Sequence, residues 1–214
     1  MLEGKLILQE LVLMEKASDN KHLGWDDPPT ENTNRHWWCW KETLPQPGNV
    51  SIPRCYHPEG FGLIARREIH AFSDASEEAI GTATYLQEIN AHVAMSLPFA
   101  RSKVAPTRST SRSRLEQCSA ILTTQAVRMI RRELDAEVDE DVYYSNSKVL
   151  LGYIHNESRR FNVYAANRVQ AILKKINGEH SRKRNHILSP PLAVELEHAS
   201  QAFNKQFNKC SLLS

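Results

Sequence analysis

Apolar positions along this chain follow two periods, three to four residues near the N-terminus and in the second half, and two residues between them. In the first stretch Ile7, Leu8, Leu11 and Met14 fall on one face of a helix. Asp19–His22 is polar, and Gly24-Trp-Asp-Asp-Pro-Pro29 is a turn-rich break. Thr30–Leu44 then predicts a second helix, carrying Trp37, Trp38, Trp40 and Leu44. Pro45, Pro47, Gly48 and Pro53 mark a linker. From residue 66 the period shortens, which predicts strands near 68–73, 80–87 and 92–101 in an antiparallel meander. A long helix is expected over about 114–134, with a stripe of Leu115, Cys118, Leu122, Ala126, Met129 and Leu134. Arg128, Arg131 and Arg132 suit its C-terminal dipole. An acidic loop with Glu137, Asp139, Glu140 and Asp141 leads to a fourth strand, Val142–Ser145. A helix then starts at Asn146-Ser147 with Val149, Leu150 and Tyr153 facing inward, and another runs from Phe161 to Leu173. The remainder is polar and basic at Ser181–Asn185, breaks at Pro190-Pro191 and ends in a weakly patterned tail. Three strands, a helix, a strand and helices predict an α/β layer with a mixed sheet.

Composition narrows the class without deciding it. A chain of 214 residues is long enough for one good core with flanking material. A charged share of 24% and a hydrophobic share of 41% are globular and argue against disorder. The net charge is only +2, so affinity for nucleic acid must come from local basic stretches. Cys39, Cys55, Cys118 and Cys210 are scattered with no CxxC spacing, which argues against a zinc site or a disulfide framework and for reduced, intracellular cysteines. Glu3, Lys5, Glu10 and Glu15 interrupt any signal-peptide core, and no apolar run is long enough to span a bilayer. A soluble protein in the cytoplasm or nucleus, with no membrane partner, is the expectation.

Three stretches carry candidate chemistry. Glu68-Ile-His-Ala-Phe-Ser-Asp74-Ala-Ser76 delivers a carboxylate to a strand end, with small residues after it and Gly81 opening the next strand. Taken alone, Asp74 reads as a turn former; with space beside it, it could also hold a metal ion. Arg101–Arg114 is basic, rich in Ser and Thr, and free of acidic residues. Arg101, Lys103, Arg108, Arg112 and Arg114 could cradle a phosphate backbone, and a solvated loop is the equal alternative. The tryptophans of 37–40 could stack on bases, but three in one helical segment are expected to pack against a neighbouring element. Arg182-Lys-Arg184 is too short to be preferred as a nuclear signal over an exposed loop.

Several short motifs in order resemble one family. Ile52-Pro-Arg-Cys55, Ile69–Ser76 with Gly81, Ser102-Lys-Val-Ala-Pro106, Arg114-Leu-Glu116, Tyr144-Ser-Asn-Ser-Lys148 and Ala166-Asn-Arg-Val169 together look like the ribonuclease H-like region in the polyprotein of BEL/Pao-type retrotransposons. Leu6–Leu11 and Gly24–Pro28 look like the end of the preceding reverse transcriptase and its connection segment. The likeness implies residues 1–64 as that upstream end, 65–173 as the ribonuclease H-like domain and 174–214 as a divergent tail. It implies a five-stranded mixed β-sheet flanked by helices, with room for its C-terminal part to be incomplete, behind a helical N-terminal segment.

The same resemblance implies two-metal hydrolysis of RNA in an RNA–DNA hybrid, with two Mg²⁺ ions about 4 Å apart held by clustered carboxylates. Asp74 matches the first-strand aspartate of such a site. Glu116 matches the glutamate at the start of the long helix, where Ser113-Arg-Leu-Glu116 also reads as a capping box. The third position departs from the family: Asn146 stands where Thr-Asp-Ser is expected, supplies no negative charge, and would serve well as an N-cap. The fourth carboxylate has no counterpart after Leu173; Glu179, Glu195 and Glu197 lie in unrelated context. With two of four ligands left, the resemblance implies an impaired hydrolase, or a non-catalytic module that binds nucleic acid or protein.

Overall fold

The computed structural model describes residues 2–17, 27–44, 55–107, 110–155, 162–176 and 185–188. The chain forms two compact units, one of Met1–Arg54 with Pro106–Ser109 and one of Cys55–Ala105 with Thr110–Ser214.

The first unit holds α1 (Leu2–Ala17) and α2 (Glu31–Thr43). Gly4 and Ile7 are buried and Leu11 and Met14 half-buried, so the inner face of α1 runs at i, i+3 and i+4 spacing. Leu8, expected on that face, is exposed, because the stripe begins one turn earlier at Gly4. A Cβ on Gly4 would lie 2.5 Å from the Trp40 ring, so the missing side chain is what lets α2 approach. Thr30 caps α2 through its side chain, accepting from the Thr33 amide. Trp37 and Trp40 pack as a tilted pair, whereas Trp38 is exposed with the Lys41 ammonium over its ring. Two of the three tryptophans therefore serve helix packing. The linker prolines and glycine at 45–53 lie outside the described residues.

The second unit is built on one mixed sheet. Its strands are β1 (Arg66–Ala75), β2 (Ala79–Ile89), β3 (Val93–Val104), β4 (Glu140–Ser145) and β5 (Asn185–Leu188), in the order β3-β2-β1-β4-β5. The first three form the expected antiparallel meander, and β4 lies parallel to β1. The fifth strand implied by the resemblance is supplied by Asn185–Leu188, parallel to β4, from the basic stretch that the hydrophobic pattern left unassigned. A four-residue strand beside Arg182–Arg184 carries too little alternation to be read from sequence.

α3 (Arg112–Glu133) crosses one face of the sheet, with α4 (Lys148–His155) and α5 (Val163–Ile176) on the same layer. Ile69 and Ala71 of β1, Leu86 of β2, Ala120, Val127 and Ile130 of α3, Leu150 of α4 and Ile172 of α5 form the main core. Alternation sends Phe72, Ala83, Tyr85, Val142 and Tyr144 to the opposite face, where Phe72 and Tyr144 stack at 4.6 Å. Val149, expected to face inward, is exposed: consecutive helix residues point about 100° apart, and Leu150 is the one of the two that is buried.

Two residues of the predicted acidic loop are structural. Asp139 accepts from the Arg67 amide at 2.9 Å. Asp141 is buried against the Arg131 guanidinium, whose Nε lies 2.9 and 3.0 Å from its two oxygens. Among the described residues no helix is long and apolar enough to cross a membrane.

Candidate functional site

Strand topology brings the three sequence-predicted acid-site positions together. Because β4 runs parallel to β1 with Ser73 opposite Ser145, the two strands end side by side, leaving Asn146 next to Asp74. α3 enters at the same end. The Ser119 hydroxyl lies 2.7 Å from the Asp74 carbonyl and 2.8 Å from that of Gly81, so a single buried donor is shared between the ends of β1 and β2. One turn later Thr123 donates to the Ser119 carbonyl at 3.0 Å. These small polar side chains let the helix sit close on the strands, which places Glu116 over the strand ends.

The local caps differ from the sequence reading at both predicted positions. α3 starts at Arg112 behind Ser111, whose side chain makes no capping bond, so Ser113 lies inside the helix and no Ser113–Glu116 capping box forms. Ser147, not Asn146, caps α4: its hydroxyl accepts from the Leu150 amide at 3.2 Å. Asn146 is thereby left free of capping. Its Nδ2 instead donates to Asp74 Oδ1 at 3.1 Å, an oxygen that also accepts from the Ala75 amide at 2.9 Å.

Glu116 is 4% exposed, yet its Oε2 has no hydrogen-bond partner among the described residues and its nearest cation, Arg112, stands off at 3.9 Å. Burial, and then the Asp74 charge, push its carboxyl up to about 7, with Arg112 opposing.

That donor set does not fit a pair of Mg²⁺ ions. Magnesium needs several hard anionic oxygens. Here one Asp74 oxygen already accepts from two N–H donors, and the third position is an amide that supplies no negative charge. Among the described residues no three His, Cys, Asp or Glu side chains gather as a metal site.

The basic residues do not form one patch. Arg101 and Lys103 are exposed on β3, an edge strand of the sheet. Arg112 pairs with Glu116, and Arg114 lies over the Tyr164 ring at 4.5 Å. Arg108 lies outside the described residues, as do Arg182–Arg184, Glu179, Glu195, Glu197 and Cys210. Sequence reasoning gave no role to Ser119, Tyr164 or Arg168. The available signal was the i, i+4 pairing of Arg114 with Cys118 and of Tyr164 with Arg168, which puts each pair on one helix face.

A family model described as "Pao retrotransposon-like RNaseH-like domain" matches residues 1–147. No curated protein matches the chain. Among solved structures the chain is similar to ribonuclease H1 of Halobacterium salinarum (8% identity, TM-score 0.39, covering 60% of this chain and 87% of that one). It is also similar to LC11-RNase H1 in complex with an RNA/DNA hybrid (10% identity, TM-score 0.39, 59% and 86%). A third likeness is to the foamy viral protease–reverse transcriptase in complex with double-stranded DNA (11% identity, TM-score 0.41, 89% and 34%). At these scores the fold assignment rests on strand order and register together with the family match.

Proposed function

The chain belongs to the Pao retrotransposon-like RNase H-like domain family, and on that premise we propose a retrotransposon-derived domain whose ancestral two-metal hydrolysis of RNA in RNA–DNA hybrids is disarmed. The observation that carries this reading is the Asn146 amide on Asp74 Oδ1. An aspartate in place of Asn146 would add an anionic oxygen where the amide now supplies a donor. The amide partly neutralises Asp74, as a cation would, but offers no charge to attract one. Glu116 adds one further carboxyl, and among the described residues no third acidic side chain joins the two. Asp74 and Glu116 are the surviving ligand positions, Asn146 is one lost position, and the fourth carboxylate has no counterpart after Leu173.

What remains is a sheet scaffold that binds nucleic acid without cutting it. In this reading exposed Arg101, Lys103, Arg112 and Arg114, together with Arg108, contact a phosphate backbone. In the same reading residues 1–64 are the end of a reverse transcriptase with its connection segment, 65–173 the ribonuclease H-like domain and 174–214 a divergent tail that lends β5 to the sheet.

The test is hydrolysis of a labelled RNA–DNA hybrid with Mg²⁺ by the wild type, Asp74→Ala and Asn146→Asp. Wild type and Asp74→Ala are expected to be equally inert. Wild-type cleavage that Asp74→Ala abolishes would overturn the proposal. Activity appearing in Asn146→Asp alone would trace the loss to this single position.

A further inference from the structure

The unassigned feature with the most chemistry is a cluster between α3 and α5, on a different face of α3 from Glu116. Arg114 and Cys118 share one face of α3, and Tyr164 and Arg168 share one face of α5. The Arg114 and Arg168 guanidinium carbons lie 4.5 and 4.0 Å from the Tyr164 ring centroid, which bounds their separation at about 8.5 Å, the sum of the two. Arg168 Nη2 donates to the Cys118 sulfur at 3.6 Å, and the Tyr164 hydroxyl is 3.9 Å from the same atom.

Two like charges held this close repel, and the arrangement does little to offset it. Neither guanidinium has a carboxylate partner among the described residues. The sulfur is a weak acceptor, and the Arg168 Nε is buried with no acceptor among the described residues. The Tyr164 ring holds both guanidiniums by cation–π contact, which leaves most of their N–H donors uncommitted. Arg114 also lies in the first turn of α3, where the helix dipole favours an anion. The cluster is thus preorganised for an oxyanion with several acceptor oxygens.

We infer that Arg114 and Arg168, held by Tyr164, form a phosphodiester-binding clamp for a nucleic-acid backbone. The inference rests on the nucleic-acid reading above and adds Arg168 and Tyr164, from a separate helix, to its contacts. The clamp stands apart from the acid site, so it survives the loss of catalysis.

Binding of a short fluorescein-labelled RNA–DNA hybrid to the full chain, followed by anisotropy across a range of KCl concentrations, tests it. Arg168→Gln is expected to weaken binding about fivefold near 0.1 M salt and to lower the slope of log K against log salt by about one. Arg114→Gln should do the same, and Arg168→Lys should keep the slope. Arg132→Gln, exposed at the far end of α3 and paired with Glu133, should change neither. If Arg168→Gln fails to fold, Tyr164→Leu, which removes the ring that holds both guanidiniums, carries the test beside Arg114→Gln. Wild-type affinity and slope in both glutamine variants would overturn the clamp while leaving nucleic-acid binding intact. A wild type with no salt-dependent binding would overturn both.

Discussion

Glu116→Gln isolates the electrostatic state of the acid site without any assay of catalysis. In the unfolded chain the Glu116 carboxyl titrates near an ordinary 4.5, and in the fold at about 7. Between those values the folded chain holds a proton that the unfolded chain has released. Stability attributable to this group is therefore full below about pH 4.5 and is lost as pH rises to about 7. The ceiling on that loss is about 3 kcal/mol, and allowance for solvent screening brings the expected effect to about 1–2 kcal/mol. Glutamine keeps the shape, removes the charge, and can donate toward Asp74. Glu116→Gln should match the wild type near pH 4.5 and exceed it by about 1–2 kcal/mol at pH 8. The wild-type profile alone cannot show this. Burial holds the His70 ring below its ordinary value despite Glu68, so its contribution grows with pH over an overlapping window, with opposite sign. The difference between variant and wild type cancels His70. Urea denaturation at several pH values gives that difference, and a gap that stays constant from pH 4.5 to 8 would refute the argument.

Other perturbations probe the supports of the site. Ser119→Ala removes the donor shared by the Asp74 and Gly81 carbonyls and should cost about 1–2 kcal/mol; amide exchange should quicken at the ends of β1 and β2, and unchanged exchange would count against the bridge. Arg131→Ala leaves Asp141 buried without its cation and should cost about 2–4 kcal/mol at pH 8. Burial already holds Asp141 above the usual carboxylate range, and without Arg131 its value climbs further, so the deficit should shrink as pH falls and protonation relieves the unpaired charge; a deficit that does not change between pH 8 and pH 4 would contradict this. Gly4→Ala gains about 1 kcal/mol of helix propensity but meets the Trp40 ring, an overpacking cost of about 1–3 kcal/mol; net destabilisation with a shifted tryptophan emission is expected, and a stabilised variant would refute the packing.

The elements themselves were legible because each is written locally. Period-two alternation located β1, β2 and β3 to within a few residues, and the apolar stripe gave α3 nearly in full. What failed were decisions that turn on competition between neighbouring groups. Asn146 and Ser147 are both good cap residues, and sequence does not say which one bonds the α4 amides. Ser113 and Ser111 posed the same problem at α3. β5 is four residues beside a basic run, too short to show a period, and it becomes a strand only because β4 offers it an open edge.

From sequence alone came the α/β class, the carboxylate at the end of β1, its family counterpart at the start of α3, and the missing charge at residue 146. The class and the strand-end carboxylate follow from residue identity and spacing, which are one-dimensional; the counterpart at α3 and the charge expected at residue 146 are what the family resemblance implies. Tertiary structure decided what that missing charge became. Parallel pairing of β1 and β4 put an amide N–H on the Asp74 oxygen, while the close seat of α3 on Ser119 buried Glu116 and raised its proton affinity. A carboxylate's protonation depends on how many waters it loses and which charges face it, and both are set only when distant segments pack.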